Sequence, residues 1–221
     1  MTIAEDLARV RARIEEACRR AGRAPDEVTL VGVTKTVSVA AVAEAYEAGL
    51  RDMGENRVQE AQSKIEALAA RGIRPRWHLI GHLQSNKAKT AIGLFDILHS
   101  IDSLRLARTL SRQTGEQMPV LLEVNVAQEA SKFGFPPDDL PRAYSDIVAL
   151  PNIQVRGLMT VAPLSGDPER ARPVFRRLRE LRDALDLAEL SMGMTDDFEL
   201  AIEEGATMVR VGRAIFGPRQ S

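Results

Sequence analysis

Cysteine is nearly absent from this chain, with Cys18 the only one among 221 residues. An intrachain disulfide and a Cys-based metal cluster are thereby excluded, and a reducing compartment is the natural setting. Cys18 falls on the apolar side of the first helical pattern, where a plain core thiol is expected. Neither sign of charge prevails: 30 Lys and Arg face 31 Asp and Glu, a formal net charge of −1. Nothing in that balance draws the chain toward nucleic acid or an anionic membrane. The arginine clusters at 9–13, 19–23 and 170–182 alternate with apolar residues at helical spacing and read as solvated helix faces. The N-terminal region has no long apolar run, and acids stand at Glu5 and Asp6. That argues against a signal peptide or membrane anchor and for a cytoplasmic protein. His78, His82 and His99 lack the spacing of a zinc-binding helix, so each is expected as a loop or core hydrogen-bonder and no metal site is assigned. No Ser-His-Asp elbow, P-loop or GxGxxG follows a strand, which leaves hydrolase and nucleotide-binding readings without support.

What is present is regular alternation. β-Favouring runs are expected at Thr29 to Val33 leading into Lys35, Leu50 to Met53, Trp77 to Ile80, Phe95 to His99, Pro119 to Val126, Ile153 to Met159, Leu190 to Met192 and Thr207 to Val211. Helical patterns separate them: Val39 to Ala48, a long one to about Ala70, one from Lys87, Leu104 to Thr114, Asp138 to Ala149, Pro168 to Leu187 and Asp197 to Glu204. An extra amphipathic helix precedes them, with Ile3, Leu7, Val10, Ile14 and Ala17/Cys18 on one stripe ending at Gly22. With no linker, repeat or composition break, residues 1–221 read as one α/β domain, a (β/α)8 TIM barrel with an additional N-terminal helix. A doubly wound sheet is the alternative, but eight units without extra edge strands favour closure. Only Arg213 to Ser221 follow the last strand, too few for a full outer helix, so the N-terminal helix is expected to cover that gap.

A barrel carries its chemistry at the carboxyl ends of its strands, and Lys35, Asn56, Asn125, Thr160, Ser191 and Arg210 fall there. Strict alternation puts Thr29, Val31, Val33 and Lys35 on one side of the first strand. An ammonium ending an apolar strand face is costly to desolvate unless it is paired or gives up its proton. A lysine with a lowered pKa forms a Schiff base with an aldehyde; the plainer reading lets Lys35 snorkel to solvent. Two glycine turns, 191–195 and 210–213, follow the last two strands, where barrels commonly bind phosphate. Alone, such glycines only permit tight turns. Arg210 lies within an apolar strand and needs a partner, either Glu203 or Asp197 or a ligand acceptor. Lys132 reads as a solvated loop lysine that could also receive or pass on a ligand.

Several segments together resemble the YggS/PROSC family of pyridoxal phosphate (PLP) homeostasis proteins, built like the barrel domain of alanine racemase. They are VTKT around Lys35, MGENRVQE (53–60), WHLIGHLQSNKAK (77–89), HSIDS (99–103), VNVAQEASKFGF (124–135), GLMTVAP (157–163) and LSMGMTDDFELAIEEGATMVRVGRAIFG (190–217). The resemblance implies that Lys35 holds PLP as a Schiff base and that Asn56 lies near the ring and its 3-hydroxyl. It implies further that Ser191, Gly193 and Gly212, with the backbone at Arg213, cradle the phosphate, and that Arg210 faces the pyridine nitrogen. The family often has Thr where this chain has Arg213, and a backbone N–H contact survives that change. The implied role is vitamin B6 homeostasis: PLP is buffered and delivered, with PLP-dependent apo-enzymes as candidate recipients. No strong catalysis is expected, because arginine keeps its proton and leaves the pyridine nitrogen a poor electron sink. A racemase of this kind also takes a second base from an added β-domain, for which a chain ending at Ser221 leaves no room. The alternatives are a PLP-dependent amino-acid racemase or lyase, and a Schiff-base aldolase acting on a sugar phosphate. A bare barrel is expected to be a monomer.

Overall fold

Both ends of the first helix are written in the sequence. Helix α1 (Ile3–Ala21) is capped by Thr2, whose hydroxyl accepts from the Glu5 N–H at 3.2 Å while Glu5 Oε2 accepts from the Thr2 N–H at 2.8 Å. Each side chain thus satisfies an amide that the helix itself cannot. Gly22 closes it at φ 65°, a left-handed conformation that strains most other residues. The expected stripe is buried at Leu7, Val10, Ile14, Ala17 and Cys18. The structure, a computed structural model, describes residues 2–129, 131–163 and 167–218.

Eight strands follow: β1 (Thr29–Val33), β2 (Asp52–Glu55), β3 (Arg76–Leu79), β4 (Ile97–Ile101), β5 (Met118–Glu123), β6 (Ile153–Met159), β7 (Glu189–Ser191) and β8 (Met208–Val211). All neighbours pair in parallel in chain order, and β8 returns to β1 with Val31 opposite Arg210. That last ladder closes the barrel and excludes a doubly wound open sheet. After β1 to β7 come α2 (Val39–Glu47), α3 (Val58–Ala69), α4 (Ala88–Ile92), α5 (Leu104–Gln113), α6 (Leu140–Val148), α7 (Arg172–Ala184) and α8 (Phe198–Glu203). A single turn, α9 (Arg213–Phe216), follows β8. Helix α1 packs against α2, α8 and α9, filling the place that α9 is too short to cover, as the sequence predicts. Among the described residues no helix is long and apolar enough to cross a membrane.

Strands β2 and β4 begin two residues later than their apolar patterns, because Leu50 and Phe95 are core residues of the lead-in, 2% and 4% exposed. The pattern expected as one helix from Pro168 splits into a 3₁₀ turn (Pro168–Ala171) and α7, with Pro173 in the first turn of the latter, where its missing N–H costs nothing. The arginine clusters are not simply solvated. Arg13 holds Glu199 by two bonds of 2.7 and 2.8 Å, and Arg23 donates to the carbonyls of Ala206 (2.8 Å) and Ile202 (3.0 Å). Arg172, Arg176 and Arg179 converge on buried Glu204.

The main apolar core lies between strands and helices, with Phe175, Phe198, Leu79 and Leu98 fully enclosed. Each such side chain contributes about 1.5–3 kcal/mol relative to exposure. Inside the barrel the apolar cluster is small, consisting of Leu121, Met159 and Met208 with Val161 against it. Barrel interiors are usually filled by branched aliphatics. Here Asp52, His78, His99, Ser191 and Arg210 are buried and bonded to one another, so the site begins deep in the barrel.

Candidate functional site

Lys35 stands two residues beyond the end of β1 and is half-buried. Its neighbours on both sides are held by α3. Lys64 Nζ donates to the Thr34 carbonyl at 2.6 Å and also to Glu55 Oε1. The Thr34 hydroxyl donates to that same carboxylate oxygen at 2.6 Å. On the other side, the Thr36 N–H donates to Glu60 Oε1 at 2.5 Å, and Thr36 sits at φ 62°. A β-branched residue in the left-handed region is an outlier kept only by strong local restraint. Glu60 and Lys64, one helical turn apart, therefore fix the backbone before and after Lys35. Burial pushes the Glu55 carboxyl above its ordinary range despite its bonds to Lys64 and Thr34, and Glu55 Oε2 has no hydrogen-bond partner among the described residues. Sequence reasoning passed over this clamp. Its signal is Lys64, a charge inside the stripe Val58, Ala61, Ile65, Leu68 of α3.

Arg210 is 4% exposed. Its guanidinium donates to Ser191 Oγ at 2.6 Å and to the Thr160 carbonyl at 2.8 Å, not to Glu203, which pairs with Arg20 and Arg172 on the outer face. Burial lowers the Arg210 pKa to about 10, against the pull of Asp197 and Glu123, so the group stays charged at neutral pH. Ser191 is fully buried, and His99 Nδ1 lies 2.9 Å from its hydroxyl. That hydroxyl is committed to Arg210 and His99, so Ser191 braces the arginine instead of opening onto the mouth.

The two glycine turns have different structural reasons. Gly193 has φ 89°, and a Cβ there would lie 2.5 Å from the Ala201 Cβ and 2.9 Å from the Phe198 Cα. Its carbonyl accepts from the Arg210 N–H at 3.0 Å, which ties the β7 turn to β8. Gly212 opens α9 against Val33. Arg213 reaches over to an ion pair with Asp196. Together Lys35, Arg210, Gly212 and Arg213 line a cleft of about 1050 Å³, with Met194 to Asp196 on one wall and Glu60, Ser63 and Lys64 on the other. Ser191, Gly193 and Asn56 lie outside that lining. Asn56 continues the inward register of Asp52 and Gly54; its Oδ1 is buried without a hydrogen-bond partner among the described residues.

The opposite rim is acidic and aromatic. His82 pairs with Asp102 at 2.9 Å and stacks on Phe133 at 3.8 Å between ring centroids. Glu123, at the end of β5, has its carboxyl pushed up to about 7 by burial and by Asp102, against the charges of Arg210 and Lys132. Lys132 is half-buried and close enough to act on Glu123, which the expectation of a solvated loop lysine did not include. The Asn125 side chain folds back onto the Glu129 carbonyl at 2.9 Å and shapes this loop. Among the described residues no group of three His, Cys, Asp or Glu is placed to hold a metal.

The family model for the N-terminal domain of alanine racemase matches residues 6–220. A pyridoxal phosphate homeostasis protein of Pseudomonas aeruginosa is 48% identical, covering 99% of this chain and 96% of that protein. Another, of Aquifex aeolicus, is 45% identical over the full length of both. Among solved structures, PipY of Synechococcus elongatus PCC7942, determined with PLP bound, has a TM-score of 0.86 at 38% identity and covers 98% of this chain and 100% of that one. The chain belongs to the pyridoxal phosphate homeostasis protein family, with the barrel of the alanine racemase N-terminal domain.

Proposed function

We propose that this protein binds PLP through a Schiff base at Lys35 and serves intracellular PLP homeostasis by holding the cofactor and passing it on, without strong catalysis of its own. One observation carries the reading: a single cleft joins the restrained Lys35 to a buried, charged Arg210 and the Gly212–Arg213 turn. The residues present fit the group. Asn56 Oδ1 is a buried acceptor awaiting a donor, which suits the 3-hydroxyl. The opening amides of α9 have no intrahelical acceptor, which suits the phosphate at Gly212 and Arg213. Gly193 shapes the phosphate wall by holding the β7 turn, and Ser191 acts there through Arg210. PLP, when bound, supplies an electrophilic aldehyde and an electron-withdrawing ring.

The chain's own residues set how that chemistry is used. Arg210 donates and keeps its proton, so a ring nitrogen facing it stays unprotonated and the ring withdraws electrons weakly. Lys35, held by the Glu60–Lys64 clamp, supplies the amine that another amine can displace. That exchange suits a carrier whose recipients are PLP-dependent apo-enzymes in the cytoplasm. Residues 1–221 act as one domain and as a monomer in this reading. Incubation with PLP, borohydride reduction and peptide mapping test it: cofactor mass on the Lys35 peptide is expected, and its appearance only on other lysines would refute it.

Glu123 favours a second reading, a PLP-dependent racemase or lyase, because a carboxyl with a pKa of about 7 at the mouth is matched to proton transfer near neutrality. Its test is deuterium exchange at the α-carbon of amino acids. Exchange above that of free PLP, lost in Glu123→Gln, would support it over the carrier reading.

A further inference from the structure

A continuous line of hydrogen-bonding groups runs through the barrel from its amino-terminal end to the mouth. Asp52, the first residue of β2, has Oδ1 2.7 Å from Arg76 Nε and 3.0 Å from His78 Nε2. His78 Nδ1 lies 2.9 Å from His99 Nε2, and His99 Nδ1 lies 2.9 Å from Ser191 Oγ. Ser191 Oγ accepts from Arg210 at 2.6 Å. Both imidazoles and the serine are fully buried, at 0% exposure, so no water competes for these positions and each proton must have a place.

The two ends decide where the protons sit. Arg76 always donates, so the Asp52 oxygen it shares with His78 acts as an acceptor and His78 Nε2 carries hydrogen. His78 Nδ1 and His99 Nε2 share the one hydrogen between them. Burial, together with the charge of Arg210, holds the His99 pKa well below its ordinary value and keeps that ring neutral. With hydrogen on its Nε2, a neutral His99 accepts at Nδ1, the Ser191 hydroxyl donates to it, the serine lone pairs face Arg210, and His78 accepts at Nδ1. One arrangement of protons satisfies every group. In the reverse direction the Ser191 hydroxyl, already accepting from His99 and Arg210, has no acceptor left among the described residues.

We propose that Asp52, His78 and His99 are positioning residues: from the far end of the barrel they fix the direction of the Ser191 hydroxyl and, through it, the orientation of the Arg210 guanidinium in the cleft. The consequence for PLP rests on the function proposed above; the proton arrangement does not. The line is a one-way relay of tautomers. A change at Asp52 is felt at His99 without touching it, since the two rings can only exchange tautomers together.

The test is ring ¹H–¹⁵N correlation spectroscopy on cofactor-free protein. In the wild type both His78 and His99 are expected as Nε2–H tautomers. In Asp52→Ala, with Arg76 free to donate to His78 Nε2, Nδ1–H forms are expected to appear at both rings together. Any other tautomer pair in the wild type overturns the proposal, and that measurement stands even if the variant does not fold. A shift confined to His78 overturns it equally. For the cofactor, Asp52→Ala should weaken PLP binding by about two- to tenfold, the net value of one hydrogen bond at Arg210. An unchanged dissociation constant overturns the reach to the cleft. Absence of PLP from wild-type Lys35 would instead refute the function while leaving the tautomer result intact.

Discussion

Replacing Lys64 by Met tests whether the clamp behind Lys35 is an electrostatic device. Met retains the bulk of the lysine stem, so the loss is one of charge and donors and not of volume. Lys64 and Glu55 have 6% and 0% side-chain exposure. Lys64 also supplies a donor to the Thr34 carbonyl at 2.6 Å. Removing one partner of a buried pair costs about 3–5 kcal/mol, because the remaining charge is uncompensated. Glu55 can escape by taking a proton, and burial already pushes its carboxyl up from 4.5. Without Lys64 it rises further. A raised carboxylate pKa removes stability as pH climbs from the unfolded value toward the folded one. The loss in Lys64→Met should thus be largest near pH 7.5 and should shrink toward about 1–2 kcal/mol at pH 4.5, the value of the missing hydrogen bonds alone. Urea unfolding followed by circular dichroism at the two pH values measures this. Adding Glu55→Gln to Lys64→Met removes the stranded charge and should restore about 2 kcal/mol at pH 7.5. A single variant within 1 kcal/mol of wild type at pH 7.5 (a bound set roughly by one hydrogen bond), or a double variant no more stable than the single, would refute the reasoning.

Glu123 carries a complementary pH signature. With its carboxyl pushed up to about 7 from 4.5, the wild type should lose up to about 3 kcal/mol relative to Glu123→Gln as pH rises between those values; parallel stability curves would contradict the burial argument. Gly193→Ala meets both a φ of 89° and a contact 2.5 Å from Ala201, and should cost about 2–4 kcal/mol. Gly22→Ala, at φ 65° with no atom within 4 Å, should cost only about 1 kcal/mol. Equal thermal shifts for the two glycines would show that steric contact adds nothing at Gly193.

The barrel was legible because each strand announces itself by β-branched runs and each helix by its cap and stripe: Thr2 with Glu5, Ser38 over Ala41, Ser103 over Leu106. Closure followed from the count of units and from the role left for α1. At the site, Lys35, Arg210, Gly212 and Arg213 were found from their places at strand ends, and all four line one cleft. The partners of Arg210 were not. Position in a strand tells that a buried guanidinium needs acceptors, whereas which acceptors it finds depends on register across β6, β7 and β8. The Ser191 hydroxyl escaped for the same reason, its neighbours His99 and Arg210 being 92 and 19 residues away. The arginines of α1 and α7 looked solvated because helical periodicity cannot see the glutamates of α8 brought against them.

The central claim concerns Lys35, and the visible absorption spectrum of purified protein reconstituted with PLP tests it most directly. The wild type should be yellow, the colour should fade when a competing amine is added, and Lys35→Ala should remain colourless under the same conditions. A colourless wild type in excess PLP, or a Lys35→Ala variant that keeps the band, would contradict the account.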